Sequence, residues 1–136
     1  MSLFGDVDDN DRRRKQRQNL SALTTLVQLG AKQKLPPLNW RLPEGYGTLC
    51  GEVGIFHERH RETFEAWHAA LSKLRRVEPG KLGFRSDGAP RAEGTRDGKT
   101  WMIAVFKLRL TEHTWPVCEF VIQAEWYEDE PAEATR

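Results

Sequence analysis

Trp101-Met-Ile-Ala-Val-Phe-Lys-Leu-Arg-Leu110 and Trp115-Pro-Val-Cys-Glu-Phe-Val-Ile-Gln-Ala-Glu-Trp126 both alternate strictly. Met102, Ala104, Phe106, Leu108 and Leu110 share one parity of the first run. Pro116, Cys118, Phe120, Ile122, Ala124 and Trp126 share one parity of the second. A strand sends successive side chains to opposite faces, so each run offers one apolar face and one mixed face. The short Thr111-Glu-His-Thr114 link joins them as an antiparallel hairpin. The mixed face carries Trp101, Ile103, Val105, Val117, Val121 and Tyr127 among Lys107, Arg109, Glu119, Gln123 and Glu125.

Upstream the period changes. Leu20, Leu23, Leu26 and Val27 recur at spacings of three and four, which predicts a helix from about Asp11 to Lys32. Pro36-Pro37 ends it in an extended connector. Asn39–Leu42 and Thr48–Ile55 read as strands, separated by a Pro43–Gly47 turn. Phe64, Trp67, Leu71 and Leu74 form one stripe of a second helix, about His57 to Arg75. Gly51 leaves space for a close neighbour, and Trp67 is expected to pack there. Ser86-Asp-Gly88 and Asp97-Gly98 are hairpin-type turns, implying strands near Lys81–Arg85 and Arg91–Arg96.

The expected fold is α+β. An antiparallel sheet of about four to six strands carries two helices on one face, in the order α-β-β-α followed by a strand meander. Residues 11–127 form the single domain. Residues 1–10 are expected to be a disordered N-terminus, and residues 128–136 a loose acidic tail.

The chain has 136 residues with 38% hydrophobic, 10% aromatic and 30% charged side chains, enough for one core without covalent staples. A formal net charge of +1 sets up no whole-chain attraction to nucleic acid or anionic membrane. No apolar run approaches the ~20 residues of a membrane span, and no signal peptide is visible. The expected location is cytoplasmic, where Cys50 and Cys118 are free thiols in strands.

Chemistry-bearing patterns fail one by one. His57-Glu-Arg-His60 resembles half of a zinc-protease motif, but Arg61 stands where the second histidine belongs, and His68 and His113 lie apart. Neither cysteine has the setting that activates a thiol. Gly45-Tyr-Gly47 lacks the Lys-Ser/Thr ending of a phosphate loop. The expectation is therefore a non-enzymatic protein with no catalytic residue, no metal and no cofactor.

Its expected function is a protein-interaction or assembly module that self-associates. The interaction face is Trp101, Ile103, Val105, Lys107, Arg109, Val117, Glu119 and Val121, with Val105 at the centre of a homodimer. The alternative is a nucleic-acid-binding or regulatory protein using Arg12, Arg13, Arg14, Lys15 and Arg17, since arginine donors suit phosphate. Two plainer readings stand beside these: cross-strand Lys and Glu stems cover the aliphatics, and the basic run is a solvated helix tip.

Leu35-Pro-Pro-Leu-Asn-Trp40, Leu49-Cys-Gly-Glu-Val53 and Phe64-Glu-Ala-Trp-His-Ala-Ala-Leu71 together resemble small uncharacterised proteins of actinobacteria and their plasmids and phages. Those share a Pro-Pro-x-x-Trp segment, a Leu-x-Gly-x-Val strand and a Phe-x-x-Trp-x-x-x-Leu helix. The resemblance covers roughly residues 20–75. It implies a cytoplasmic accessory role on a mobile element and brings no catalytic residue.

Overall fold

The computed structural model describes residues 3–42, 48–54, 59–111 and 117–127, with side chains from residue 9 onward. The Pro43–Gly47 turn, Ile55, His57, the 112–116 part of the hairpin link with His113, and the 128–136 tail lie outside the described residues. Two helices and six strands follow in the order α1 (Leu3–Lys32), β1 (Asn39–Arg41), β2 (Leu49–Glu52), α2 (His60–Ser72), β3 (Val77–Pro79), β4 (Arg91–Arg96), β5 (Lys99–Arg109) and β6 (Val117–Tyr127). The fold is α+β with an open, mostly antiparallel sheet.

β5 and β6 pair over eleven consecutive residues, from Lys99 opposite Tyr127 to Arg109 opposite Val117. The alternation in sequence becomes two faces. Met102, Ala104, Phe106 and Leu108 of β5 join Cys118, Phe120, Ile122 and Ala124 of β6 in the main core. Ala22 and Leu26 of α1 and Phe64, Trp67 and Leu71 of α2 close over that same face. Asp97 and Gly98 both take positive φ, 55° and 77°, as the tight β4–β5 turn requires. β4 then pairs with the first half of β5, and β3 with the second half.

Several expectations are corrected. β2 runs parallel to β6, with Leu49 opposite Phe120 and Glu52 opposite Gln123. Parallel neighbours need a long crossover, and α2 with the three strands after it supplies one. The segment expected as a strand at 81–85 is a loop, and the strand lies earlier, at Val77–Pro79. Helix α1 begins at Leu3, not near Asp11. Asp9 and Asp11 lie about two turns inside it and pair with Arg12 (3.6 Å) and Arg14 (3.3 Å).

The buried face of α1 also differs from the expected one. Asn19, Ala22, Leu26 and Gly30 point inward, while Leu20 and Val27 are about half exposed. Small residues let the helix lie close. Gly30 rests against the Trp67 ring, so Trp67 packs there and not at Gly51. Gly51 receives Trp40 from β1 instead, and a Cβ at position 51 would stand 2.6 Å from that ring. The two indoles meet edge to face at 5.9 Å. Trp67 donates its indole N–H to the Pro36 carbonyl at 2.7 Å, which fastens the Pro-Pro connector to α2.

No helix among the described residues is long and apolar enough to cross a membrane.

Trp67→Ala removes a ring that is 1% exposed together with its hydrogen bond. Stability should fall by about 3–5 kcal/mol, read from the denaturation midpoint. An unchanged midpoint contradicts this packing.

His68 sits between Phe64 and Phe106 at ring distances of 6.2 and 5.5 Å. Desolvation, then the nearby Arg91 charge, lowers its pKa from the ordinary 6.5. The folded state therefore favours neutral His68, and the unfolded state takes the proton first as pH falls. Its stabilisation is complete above 6.5 and is lost as pH drops through the lowered folded value. His68→Gln should flatten the loss of stability that sets in as pH falls below the ordinary 6.5. An equally steep change in the variant refutes the assignment. Glu65, lowered mainly by its hydrogen bonds from Arg91, acts only in a more acidic window, below its ordinary 4.5.

Candidate binding groove on the free face of the sheet

The second face of β5–β6 is closed at one end by the chain itself. β3 is followed by Gly80, whose N–H donates to the Val105 carbonyl (3.0 Å). The Val105 N–H donates to the Pro90 carbonyl (2.9 Å). Between those two anchors on one residue, the 80–90 loop leaves the sheet edge and lies over the outer face. Leu82 reaches down, and Leu82, Ala92 and Val105 form a second small core. Trp101, Ile103 and Val121 pack around it, partly buried.

The loop holds its own shape. The Leu82 N–H donates to the Ala89 carbonyl (3.1 Å) across its neck. Arg85 grips Asp87 through two bonds of 3.0 and 2.6 Å, and the Ala89 N–H donates to Asp87 Oδ1 at 3.0 Å. The hydrogen bonds from Arg85, then that backbone bond, hold the Asp87 carboxyl down at about 2.

Beyond the loop the face opens into a groove of about 620 Å³. Phe84, 65% exposed, forms one wall and stands edge to face with Trp101 at 6.5 Å. Tyr127 forms the other wall, with Ile103 and Gln123 between. Arg96, Asp97, Lys99 and Glu125 also line it. Lys99 pairs with Glu125 at 3.2 Å and lies 5.6 Å from the centre of the Tyr127 ring. Trp101 reaches its place because β4 has no side chain opposite it: a Cβ on Gly94 would stand 2.8 Å from the indole.

The expected interaction face is thus divided. Trp101 lines the groove with Ile103, while Val121 supports the loop. Val105 is corrected: at 2% exposure it belongs to the interior. Arg109 is occupied at home: its guanidinium donates to the Arg75 carbonyl, and Arg76 Nε donates to the Arg109 carbonyl at 2.9 Å. Lys107, Val117 and Glu119 are half-buried further along the strands, away from the groove. Parity alone found Gln123 and Tyr127 on this face. Phe84 escaped it, because an irregular loop carries no period.

The other candidates scatter. Arg13 and Arg17 lie one helical turn apart and exposed on α1. Arg12 and Arg14 are engaged by acids. Lys15 is half-buried, and its charge acts on Cys118. The two cysteines are free thiols. Burial is the main cause that pushes both above their ordinary value. Cys118 donates to Asn19 Oδ1 at 3.2 Å inside the core.

At the start of α2, His60 stacks on Trp126 at 5.7 Å, and the Arg61 guanidinium covers that ring at 5.3 Å. Arg91 forks onto Glu65 with two bonds of 2.7 Å and lies over Phe64. These contacts tie α2 to β4 and to the end of β6. Among the described residues no group of three or more His, Cys, Asp or Glu side chains converges as metal ligands would.

Comparison with known protein families, curated proteins and solved structures finds no match to this chain.

Val105→Glu now has a different expected outcome from that of an interface residue. It buries a charge beside Leu82, so it should lower the denaturation midpoint sharply, by several kcal/mol. Leu82→Ala, which uncovers Val105, should cost about 2 kcal/mol. A Val105→Glu protein that keeps its stability and changes only its sedimentation would put Val105 on the surface after all.

Proposed function

We propose that this domain works by binding another protein, with no chemistry of its own, and that the Phe84–Trp101–Tyr127 groove is where the partner sits. One observation carries the reading. Among the described residues, no hydrogen bond engages the Trp101 indole N–H, the Gln123 amide or the Tyr127 hydroxyl. Aromatic walls with a few convergent polar groups are the usual make-up of a binding site. Exposed aromatic rings also supply large contact area at small entropic cost.

The titratable side chains around the groove are those of a recognition surface. Lys99 pairs with Glu125 across it, and Arg96 and Asp97 carry opposite charges in its lining. A second copy of this chain is another possible occupant. Val105, buried under the 80–90 loop, offers such a copy no apolar centre. A role on an actinobacterial mobile element rests on the sequence resemblance alone.

A second reading, contact with nucleic acid, is favoured by one feature. Residues 12–42 hold eight Lys and Arg and no Asp or Glu. Arg13 and Arg17 are the members best placed to reach phosphate. Such binding would weaken steeply with salt, whereas a neutral groove would not.

The test uses Phe84→Ala with Tyr127→Ala, both at exposed positions. The double variant should keep its denaturation midpoint within about 0.5–1 kcal/mol. It should bind the partner isolated from the source cell at least roughly tenfold more weakly, as expected when anchoring aromatics are removed. Sedimentation of the unmodified chain decides whether that partner is a second copy. Unchanged affinity in the double variant, with loss of affinity in Arg13→Glu/Arg17→Glu, would transfer the function to α1.

A further inference from the structure

We infer that the rim of the domain where β5 ends and β6 begins is a second binding surface, separate from the groove, and that it grips the phosphates of a nucleic-acid duplex. The formal net charge of +1 conceals an uneven layout. At the Lys99–Tyr127 end of the β5–β6 ladder, cations and acids are matched. Lys99 pairs with Glu125, Arg61 with Glu93 and Arg91 with Glu65. At the other end, where the last rung is Arg109 opposite Val117, they are not.

Three arginines meet at this rim, where the chain passes from α2 into β3 beside the end of β5. The Arg109 N–H donates to the Arg76 carbonyl at 2.8 Å, and Arg76 Nε donates to the Arg109 carbonyl at 2.9 Å. The Arg109 guanidinium donates to the Arg75 carbonyl. Backbone carbonyls thus hold two of the guanidinium groups in place, and among the described residues no carboxylate pairs with any of the three. A guanidinium has five N–H donors, so most remain free for a ligand. Like charges held side by side repel one another. An anion brought from outside relieves that repulsion.

Helix α1 brings further cations to the same rim. Its Asn19 accepts from Cys118 at 3.2 Å, one rung in from Arg109–Val117. Cys118 stands opposite Leu108, and Leu108 opposite Val77 of β3. The arginine cluster therefore lies about two strand spacings, or roughly 10 Å, from the point where α1 reaches the sheet. Ala22 and Leu26 continue inward over the core, whereas none of residues 9–18 is buried. Lys15 comes one turn before Asn19, and Arg13 and Arg17 are exposed. Arg12 and Arg14 are engaged by Asp9 and Asp11, and Glu78 and Glu119 flank Lys107 on the neighbouring strands. Among the described residues that leaves Arg13, Lys15, Arg17, Arg75, Arg76 and Arg109 without a partner carboxylate.

Phosphate suits this set better than other anions do. Five of the six are arginines, whose planar fork matches phosphate oxygens. A lipid surface needs an apolar helix face, and residues 8–19 contain no apolar side chain. An acidic protein needs aromatic or apolar anchors. The exposed aromatic residues among those described, Phe84 and Tyr127, stand in the groove instead. The same lack of rings removes the stacking platform on which single strands are held. What remains is a duplex held along its backbone, with no reading of sequence.

The experiment measures binding of the full-length chain to short fluorescent DNA and RNA duplexes by anisotropy across a salt series. Single-stranded DNA, polyglutamate and phosphatidylserine vesicles are the competing probes. At least one duplex should bind, with no preference among its sequences. Affinity should fall about 10²–10³-fold between roughly 50 and 200 mM salt, the loss expected for about four to six neutralised phosphates. Arg75→Gln and the pair Arg13→Gln/Arg17→Gln change exposed side chains, so their denaturation midpoints should hold. Arg75→Gln should reduce the salt slope by about one and the α1 pair by about two. Weakening by the α1 pair with none from Arg75→Gln overturns the composite rim and leaves a contact through the helix alone. No duplex binding at about 50 mM salt, or binding as tight to the single strand, polyglutamate or the vesicles, overturns the inference outright. The groove stands or falls separately, on Phe84 and Tyr127.

Discussion

Everything else in this fold hangs on the eleven-pair ladder between β5 and β6. Those strands are long for a domain of this size, and they lie at the centre of the sheet. A side-chain period of two gives a slip of one residue a prohibitive cost. It would turn Met102, Phe106, Phe120 and Ile122 out of the core and push Lys107 and Glu119 into it. With register fixed, one face must be covered by apolar helix surface, and α1 and α2 supply it. The ladder's free edges then take β2 on one side and β3 with β4 on the other.

The second face, on which we place the proposed binding site, is only half covered. Val105 contributes both backbone groups to the 80–90 loop, one to Gly80 and one to Pro90, and its side chain lies under Leu82. One residue thus anchors the loop and is buried by it. The loop in turn lifts Phe84 to the edge of the groove, while Gly94 makes room for Trp101. The groove is built on rigid strands and one self-braced loop. Its aromatic groups are therefore positioned before any ligand arrives, which is the condition for affinity without ordering cost.

The sequence made legible whatever is periodic or set by backbone sterics. The β5 and β6 alternation, the Asp97-Gly98 turn and the Phe64–Trp67–Leu71 stripe all fall where the pattern puts them. Pairing partners are not local, so nothing around Leu49–Glu52 revealed a parallel neighbour far along the chain. The buried face of α1 was hidden because Asn19, Ala22 and Gly30 are small or polar. Leu20 and Val27 looked like core and are not. Leu82 and Phe84 are lone apolar residues in a polar stretch, and only the folded loop gives them roles. Val105 was placed on the correct face, but the loop that buries it could not be seen. The candidate site was legible in its strand half, through Trp101, Ile103, Gln123 and Tyr127, and illegible in its loop half.

The central claim is that one sheet face is sealed by helices while the other is sealed at Val105 and open at Trp101 and Tyr127. Solvent paramagnetic relaxation of assigned methyl and ring signals tests it directly. Val105 and Leu82 methyls should be shielded as fully as the core rings of Phe64 and Phe120, while Phe84 and Tyr127 signals broaden away. Broadening of Val105 alongside Tyr127 would show a bare outer face and contradict the account.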